Sequence, residues 1–240
     1  MISITRVVAN TTLRTVHCLL NIDAGERVDE PDDFACHAHI LHIAAGGHAG
    51  DAHTMRRTLL QVQQAGTAAG AHPSYPDREN FGRVSIKIPI SDLAESLHAQ
   101  MCGLAQIASS VGVPLVSLKP HGALYHDANQ SPHLAQLLAT IAAEAEPHAL
   151  RLVGPPNGFL QAAAHQCGVV FYREAFADRV YETDGTLRDR TKSGAMISDP
   201  VIALAQAKAL CGGGDFETLC VHGDNPQASE ILRLLWEWLS

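Results

Sequence analysis

The feature that most constrains the fold of this chain is a regular alternation of short apolar runs with longer amphipathic stretches. Seven runs have the length and composition of buried strands, and they cover residues 16–22, 40–44, 67–71, 115–118, 150–153, 169–172 and 217–221. Strands that alternate with helices in one direction need crossover connections, so they assemble into a mainly parallel sheet. The alternation therefore predicts an α/β fold.

The intervals between the runs carry helix signals. Helices are predicted over about 51–64, from 91 to before 112, over 158–166, and from starts at Ser131-Pro132, Asp199-Pro200 and Asn225-Pro226. In the last three cases a capping side chain precedes a proline in the first helical turn. The resulting series of about seven β-then-α units favours a closed, distorted TIM-like (β/α)7 barrel, with an open doubly wound sheet as the alternative.

The chain is predicted to be a single barrel domain over residues 1–240, because no linker, charge block or internal repeat interrupts the series. Hydrophobic residues make up 46% of the chain and charged residues 18%. This composition is sufficient for a large core, and it excludes intrinsic disorder as the main state.

Charge and hydropathy exclude several classes of function. Acidic residues outnumber basic ones by 25 to 17, a net charge of −8, so we expect no nucleic-acid partner. No run of 18 apolar residues exists and no hydrophobic signal segment follows Arg6, so we expect no membrane partner and a cytoplasmic location. The six cysteines form no CxxC pair and are predicted to be reduced thiols.

Polar side chains collect just after the predicted strands. They are Asn21, Asp23 and Glu26 after the first, His48 and Asp51 after the second, His72 after the third, Lys119 and His121 after the fourth, Glu174, Asp178, Arg179 and Tyr181 after the sixth, and His222 and Asp224 after the seventh. In a parallel barrel these positions share the carboxyl-terminal face, where active sites lie. A single histidine after a strand is more often a capping or loop residue, but four strand ends with one histidine each favour a common site.

These residue types limit the chemistry of the predicted site. Aspartate with several histidines can hold a divalent metal, for which Asp23, His48 and His72 are the candidates, or can exchange protons without one. Lys119 can stabilise an oxyanion, and Arg179 can bind a carboxylate. The set points to hydrolysis or acyl transfer on a small anionic substrate. Neither GxSxG nor GxxxxGK[ST] occurs, which disfavours a serine hydrolase of that type and a P-loop in this chain.

Six stretches of sequence carry a family resemblance. They read LNIDAGE (20–26), AAGGHAGD (44–51), GAHPSYPDRENFGR (70–83), LKPHGALY (118–125), EAFADRVY (174–181) and CVHGDNP (220–226). In this order they resemble the LamB/YcsF family, the A subunits of the prokaryotic ATP-dependent 5-oxoprolinase.

The resemblance implies a TIM-like barrel of the glycoside hydrolase/deacetylase type. It also implies a hydrolase that acts on a cyclic amide. With the B and C subunits and ATP, such a protein opens the ring of 5-oxo-L-proline to give L-glutamate. Because the chain has no nucleotide motif, we expect ATP to be used through the complex, with its chemistry shared with or carried out by the partners.

The resemblance is to a diverged member of the family. His42, Ala45 and Gly47 stand where the family has asparagine, cysteine and phenylalanine, and the first motif also differs. The charged residues and histidines at the strand ends are retained. Another lactam or amide is therefore an alternative substrate.

A working mechanism follows from the shared placement at strand ends. The predicted catalytic residues are Asp23, His48, His72, Lys119, His121, Glu174, Asp178, His222 and Asp224, and the predicted substrate-binding residues are Asn21, Arg179 and Tyr181. The first three are expected to activate water, with or without a metal, and Lys119 with His121 to stabilise charge at the carbonyl. Arg179 would hold the substrate carboxylate, oriented by Glu174 and Asp178, and His222 with Asp224 would supply an acid. Two other functions remain open: a stand-alone metal-dependent deacetylase or amidohydrolase, and a non-catalytic ligand-binding subunit.

Overall fold

The structure, a computed structural model, describes residues 18–213 and 216–240. Seven parallel strands form a closed barrel in sequence order, and the first strand pairs with both the second and the seventh. This pairing confirms the predicted closed (β/α)7 barrel and excludes the open sheet. The predicted start of the first strand, Val16, lies outside the described residues.

The elements alternate as the sequence predicts. The strands are β1 (Leu19–Ala24), β2 (Ile40–Ala44), β3 (Ala68–His72), β4 (Leu115–Leu118), β5 (Arg151–Gly154), β6 (Phe171–Phe176) and β7 (Thr218–His222). The helices are α1 (Ala52–Ala65), α2 (Ile90–Ser110), α3 (Gly122–Gln130), α4 (Pro132–Ala143), α5 (Phe159–Gln166), α6 (Pro200–Gly212) and α7 (Ala228–Leu239), and a 3-10 turn covers Phe34–Cys36.

Three helix starts follow the capping signals in the sequence. Asp51 accepts two backbone N–H groups of the first turn of α1, and the side chain of Thr54 bonds back to the backbone of Asp51. Ser131 caps α4 and Asp199 caps α6, each directly before a proline. These caps satisfy N–H groups that have no partner within the helix.

One helix was missed by the sequence analysis, and one predicted helix start is wrong. The helix α3 was not predicted, because it begins after His121, whose side chain makes no capping bond. The last helix begins at Ala228, later than the predicted start at Asn225-Pro226. The side-chain amide of Asn225 instead donates to Asp178 and to the carbonyl of Ile197, so this residue anchors a loop.

The connection from β6 to α6, residues 177–199, is irregular, and we call it the β6–α6 loop. Two antiparallel bridges shape it, Arg179 with Met196 and Tyr181 with Leu187. Gln206 on α6 donates to three carbonyls at the start of the loop. The loop is therefore held against α6 while its middle reaches the barrel mouth.

One apolar core joins the strands to the inner faces of the helices. The amphipathic α7 buries Ile231, Leu232 and Leu235, and Trp236 and Trp238 pack half-buried at its edge. Of the helices within the described part of the chain, none has the length and apolarity needed to span a bilayer.

Candidate active site

A cavity of about 420 Å³ lies at the carboxyl ends of the strands, on the face predicted from the sequence. The ends of β1, β3, β4, β6 and β7 line it, together with residues 187–191 of the β6–α6 loop. The predicted site residues that line it are Asp23, His72, Lys119, His121, Arg179, His222 and Asp224. Separate segments of the chain therefore do meet in one cavity.

The ammonium group of Lys119 is the buried positive charge of this site. Its Nζ lies 2.7 Å from Asp23 Oδ1 and 3.0 Å from Glu174 Oε1. It also donates to Asn21 Oδ1 at 3.3 Å and contacts Cys220 Sγ at 3.0 Å. Side chains from β1, β6 and β7 therefore converge on a residue that follows β4.

Burial and mutual attraction set the charges of this group. Burial opposes the charge of Lys119, but the neighbouring anionic groups, with Asp23 the strongest, outweigh it and raise the pKa of Lys119 well above its usual value. Burial also opposes ionisation of Asp23, yet the charges of His72 and Lys119 hold the pKa of Asp23 well below its usual range. Lys119 therefore stays an ammonium group and Asp23 a carboxylate.

A buried polar layer supports Lys119. Oδ1 of Asn21 lies 3.1 Å from His42 Nδ1, and its Nδ2 donates to Glu174. Because a carbonyl oxygen only accepts, His42 carries its proton on Nδ1, and Ser117 Oγ donates to Nε2 at 3.0 Å. Burial lowers the pKa of His42 well below its usual value, so this ring is neutral. Asn21, predicted to bind substrate, is placed in this layer.

Four side chains from four segments, Glu26, His48, His72 and His121, come together beside Lys119, and we call them the Glu–His group. Oε1 of Glu26 lies 3.1 Å from His48 Nε2 and 3.3 Å from His121 Nδ1. His121 Nδ1 lies 2.9 Å from His72 Nε2, and the His48 and His121 rings stack with centroids 3.6 Å apart. Glu26 was not predicted to be catalytic, although its place after the first strand was the signal that could have identified it.

Burial also sets the protonation of the Glu–His group. It lowers the pKa of His48 and the pKa of His121 well below the usual value, so both rings are neutral near pH 7. Burial raises the pKa of Glu26 to about 7, and the negative charge of Asp23 adds to the effect. The group thus combines two neutral rings with a carboxyl that titrates near neutrality, and this carboxyl is suited to proton exchange.

Within residues 18–213 and 216–240, two groups of side chains have the composition of a metal site. The Glu–His group is one, and its four ligand atoms lie within 4.8 Å of one another. Asp23, Cys220 and His222 form the other within the same limit, but the Lys119 ammonium already contacts the first two. The predicted ligands His48 and His72 belong to the first group, whereas the predicted ligand Asp23 belongs to the second.

Asp178 organises the end of β7. Its Oδ1 lies 2.8 Å from His222 Nδ1, and its Oδ2 accepts the backbone N–H of His222 and the amide of Asn225. Burial opposes ionisation, but the charge of His222 and these hydrogen bonds lower the pKa of Asp178. The His222 ring stacks on Phe176 and lines the cavity, so Asp178 orients a residue of the cavity wall.

Four arginines line the cavity in different environments, and one of them, Arg188, pairs with Glu182. The guanidinium of Arg179 donates to two carbonyls of the β6–α6 loop, and its predicted role as a carboxylate ligand stays a prediction. Arg83 and Arg190 both pair with Asp224, and neither was a predicted site residue. Arg190 comes from the irregular loop, where no strand end marked its position.

An apolar wall of Tyr125, Phe176 and Leu187 faces these charges. The hydroxyl of Tyr125 and Oε2 of Glu174 are buried without a hydrogen bond of good geometry, although Glu174 is the polar group that faces the hydroxyl. Burial and the charge of Glu174 raise the pKa of Tyr125 well above its usual value, so the hydroxyl keeps its proton as a donor. Tyr181, predicted to bind substrate, accepts the backbone N–H of Phe176 and so supports this wall. Tyr125 was not a predicted site residue, but its position in the LKPHGALY motif could have identified it.

Comparison with known proteins completes the description of the site. The model of the LamB/YcsF family matches residues 20–240. The chain belongs to the LamB/YcsF family. A relative of this LamB/YcsF protein, the A subunit of 5-oxoprolinase from Chloroflexus aurantiacus, is 39% identical over 227 residues, which cover 88% of this chain and 89% of the relative. A solved structure, the lactam utilization protein from Thermus thermophilus, shares its fold with a TM-score of 0.82 at 28% identity, over 92% of this chain and 96% of that chain.

Proposed function

We propose that this LamB/YcsF chain is the hydrolytic subunit of a 5-oxoprolinase. It opens 5-oxo-L-proline to L-glutamate together with B and C subunits that couple the reaction to ATP. The observation that carries the proposal is that the buried ammonium group of Lys119 and the Glu–His group, whose Glu26 has a pKa of about 7, meet at one cavity. The names of the relatives, the A subunit of 5-oxoprolinase and a lactam utilization protein, support the substrate class.

Lys119 is suited to stabilise the charge that develops on the lactam oxygen. Hydrolysis of an amide places negative charge on this oxygen in the tetrahedral intermediate, and a cation already oriented towards it lowers the barrier. Asp23 and Glu174 orient the ammonium before substrate arrives. Because the same carboxylates keep Lys119 protonated, it does not act as the base.

The Glu–His group is suited to accept the proton of the attacking water. The water oxygen bonds to the lactam carbon while one proton passes to this group. The C–N bond then breaks, and the ring nitrogen takes up a proton to become the amine of glutamate. His222, oriented by Asp178, is a donor for that nitrogen. Glu26, with a pKa of about 7, can take up and return a proton near neutral pH, and His48 and His121 contact its carboxyl group.

The remaining cavity wall fits the rest of the substrate. Arg83 and Arg190 flank Asp224 at the cavity and can bind the substrate carboxylate in a bidentate manner. Tyr125 and Phe176 offer an apolar surface to the ring methylenes. The Tyr125 hydroxyl, which makes no hydrogen bond of good geometry, can donate to a polar atom of the lactam.

ATP use belongs to the complex in this proposal. The chain carries no GxxxxGK[ST] sequence, and hydrolysis of a stable lactam gives a physical reason for coupling to ATP. Calorimetric titration of the isolated chain with ATP should therefore show no tight binding. Tight binding by the chain alone would contradict this division of roles.

A reconstitution assay tests the proposal. The chain is mixed with purified B and C subunits, 5-oxoproline and ATP, and glutamate release is measured, with each component omitted in turn as the control. Glutamate should appear only in the complete mixture. Binding of 5-oxoproline without any product would favour a non-catalytic subunit, and deacetylation of a test amide by the chain alone would favour a stand-alone enzyme. Either result overturns the proposal.

A further inference from the structure

We infer that the Glu–His group is a binding site for one divalent transition-metal ion, with Zn²⁺ as the best fit. The site is built by Glu26, His48, His72 and His121. In lactam hydrolysis the bound ion would activate water in place of the free Glu–His group. This role rests on the function proposed above, whereas metal binding itself does not.

The first argument is the direction of the ring nitrogens. His72 Nδ1 donates to the carbonyl of Lys119 at 2.7 Å, and His121 Nε2 donates to the carbonyl of Phe81 at 3.0 Å. These bonds turn His72 Nε2 and His121 Nδ1 towards each other, 2.9 Å apart, and both towards Oε1 of Glu26. Two ring nitrogens and a carboxylate oxygen that converge in this way form the donor set of a divalent ion.

The second argument is the number of acceptors. Glu26 Oε1 adds a carboxylate oxygen 3.3 Å from His121 Nδ1, and His48 Nε2 lies 3.1 Å from that oxygen. A proton can bridge only one pair of these atoms at a time. A metal ion satisfies all four, and imidazole with a carboxylate suits zinc and its neighbours.

The third argument is the spacing. Tetrahedral Zn²⁺ with ligands at about 2.0–2.1 Å holds neighbouring ligand atoms about 3.3–3.4 Å apart. Glu26 Oε1 lies 3.1, 3.3 and 3.9 Å from the facing nitrogens of His48, His121 and His72. Ligand histidines generally donate their second N–H to a carbonyl or carboxylate, as His72 and His121 do.

The turn at 81–82 is shaped around these histidines. Phe81, which supplies the carbonyl to His121, has a φ of 56°, a costly conformation for a bulky residue. Gly82 has a φ of 64°, and a Cβ there would lie 2.9 Å from His48 Cβ and 3.1 Å from His121 Cδ2. A strained backbone is thus maintained where it orients two of the proposed ligands.

The site is open to the substrate cavity, because Glu26, His72 and His121 line it. A divalent ion held there would polarise a carbonyl or lower the pKa of a bound water if it expanded from four ligands to five during the reaction. Both effects belong to amide hydrolysis, the reaction class proposed for this cavity.

Metal titration tests the inference without any lactam. The full chain is freed of metal with a chelator and titrated with Zn²⁺ by calorimetry, and Co²⁺ is added separately to record its visible absorption. We expect one ion per chain and the intense visible bands of tetrahedral Co²⁺. Glu26→Gln and His48→Gln should each weaken Zn²⁺ binding by at least ~100-fold, since loss of an outer partner alone costs about 10–100-fold.

His53→Gln is the matched control, because His53 is an exposed histidine on α1. It should leave stoichiometry and affinity unchanged. Absence of a one-to-one complex overturns the inference, and so does equal weakening by all three variants. If a variant fails to fold by circular dichroism, the Co²⁺ spectrum of the unmodified chain decides. Failure here leaves the glutamate-release assay as a separate test of function.

Discussion

Lys119 and two histidines of the Glu–His group, His48 and His121, are all buried but differ in charge, because their neighbours differ. Asp23 and Glu174 lie within 3.0 Å of Lys119, and their attraction exceeds the cost of burying the ammonium. The histidines His48 and His121 have no comparable anion that outweighs burial, so they stay neutral. A fixed charge and free proton acceptors can therefore coexist in one small cavity.

Replacing Lys119 with methionine tests the fixed charge. The variant leaves Asp23 and Glu174 buried without a cation, and breaking a buried pair costs about 3–5 kcal/mol. Loss of one oxyanion-stabilising group should also lower turnover by at least ~100-fold. Denaturant unfolding at pH 7 measures the first effect, and glutamate release by the complex measures the second. Lys87→Met, at an exposed position, should change neither, and a Lys119→Met variant of normal stability would refute the argument.

Tyr125→Phe separates a substrate-binding role from a structural one. The hydroxyl makes no hydrogen bond of good geometry, so its removal should leave the free energy of unfolding unchanged or raise it by up to about 1–3 kcal/mol. If the hydroxyl bonds the lactam, kcat/KM should fall by roughly tenfold, which corresponds to about 1.4 kcal/mol. Tyr181→Phe is the contrast, because it removes an acceptor from the Phe176 N–H and should lower stability. Full activity of Tyr125→Phe would exclude the proposed contact.

Inside the barrel, a hydrogen-bonded side chain crosses from one strand to another over a glycine. His42 on β2 spans from Asn21 on β1 to Ser117 on β4, passing over β3 at Gly70. Only a residue without a side chain permits this crossing. The hydrogen-bonded layer beneath Lys119 therefore depends on a glycine in β3.

Gly70→Ala should destabilise the protein by overpacking. An added Cβ would lie 2.4 Å from His42 Cδ2 and 2.5 Å from Ser117 Oγ, and such forced contacts typically cost about 1–3 kcal/mol. Gly103→Ala on α2 is the matched control, since no atom lies within 4 Å of its added Cβ and alanine favours a helix. Thermal or denaturant unfolding of both variants gives the comparison. If Gly70→Ala did not change the stability of the protein, β2 and β3 would have to be able to shift apart.

The β6–α6 loop should loosen in acid. Asp178 anchors the loop through Asn225 and His222, and its folded-state pKa lies below the unfolded value of about 3.9. Such a group adds stability that is present above the unfolded pKa and is lost as pH falls through the folded one. Urea unfolding measured from pH 7 to pH 3 should show this loss of stability. In Asp178→Asn, the free energy of unfolding should fall less steeply with pH below about pH 4. Asp29→Asn, at an exposed position, should keep the wild-type slope.

At the scale of the whole molecule, closure of the barrel links the first strand to the last. β1 pairs with β7 over five residues, and α7 packs beside β7. Detaching either β1 or β7 breaks the same ladder of hydrogen bonds. We therefore expect the barrel to unfold in one cooperative transition. The single domain over residues 1–240 remains a prediction that unfolding can test.

Tryptophan fluorescence and far-ultraviolet circular dichroism should give coincident unfolding curves. Trp236 and Trp238 report on α7, whereas circular dichroism reports on all helices. Coincident midpoints are the test of a single transition. Separate midpoints would show that α7 or part of the barrel unfolds on its own.

Local sequence was sufficient to predict the barrel and the location of its site. Apolar periodicity, caps such as Asp199 and the one-way alternation of strands and helices depend on neighbours along the chain. Parallel topology then brings all strand ends to one face, so Asp23, His72, Lys119 and His222 could be placed together. The helix α3 escaped prediction because no capping side chain marks its start.

Only the tertiary structure decided how the site residues interact. Packing between distant segments brings Glu26 and His121 beside His48 and His72 and sets the hydrogen bonds of their rings. It also pairs Arg83 with Asp224, 141 residues away. The charge states of the site residues also depend on the tertiary structure, because it determines how deeply each group is buried and which charges lie beside it. The order of the strands determined which residues meet, whereas side-chain orientation and burial determined what they can do together.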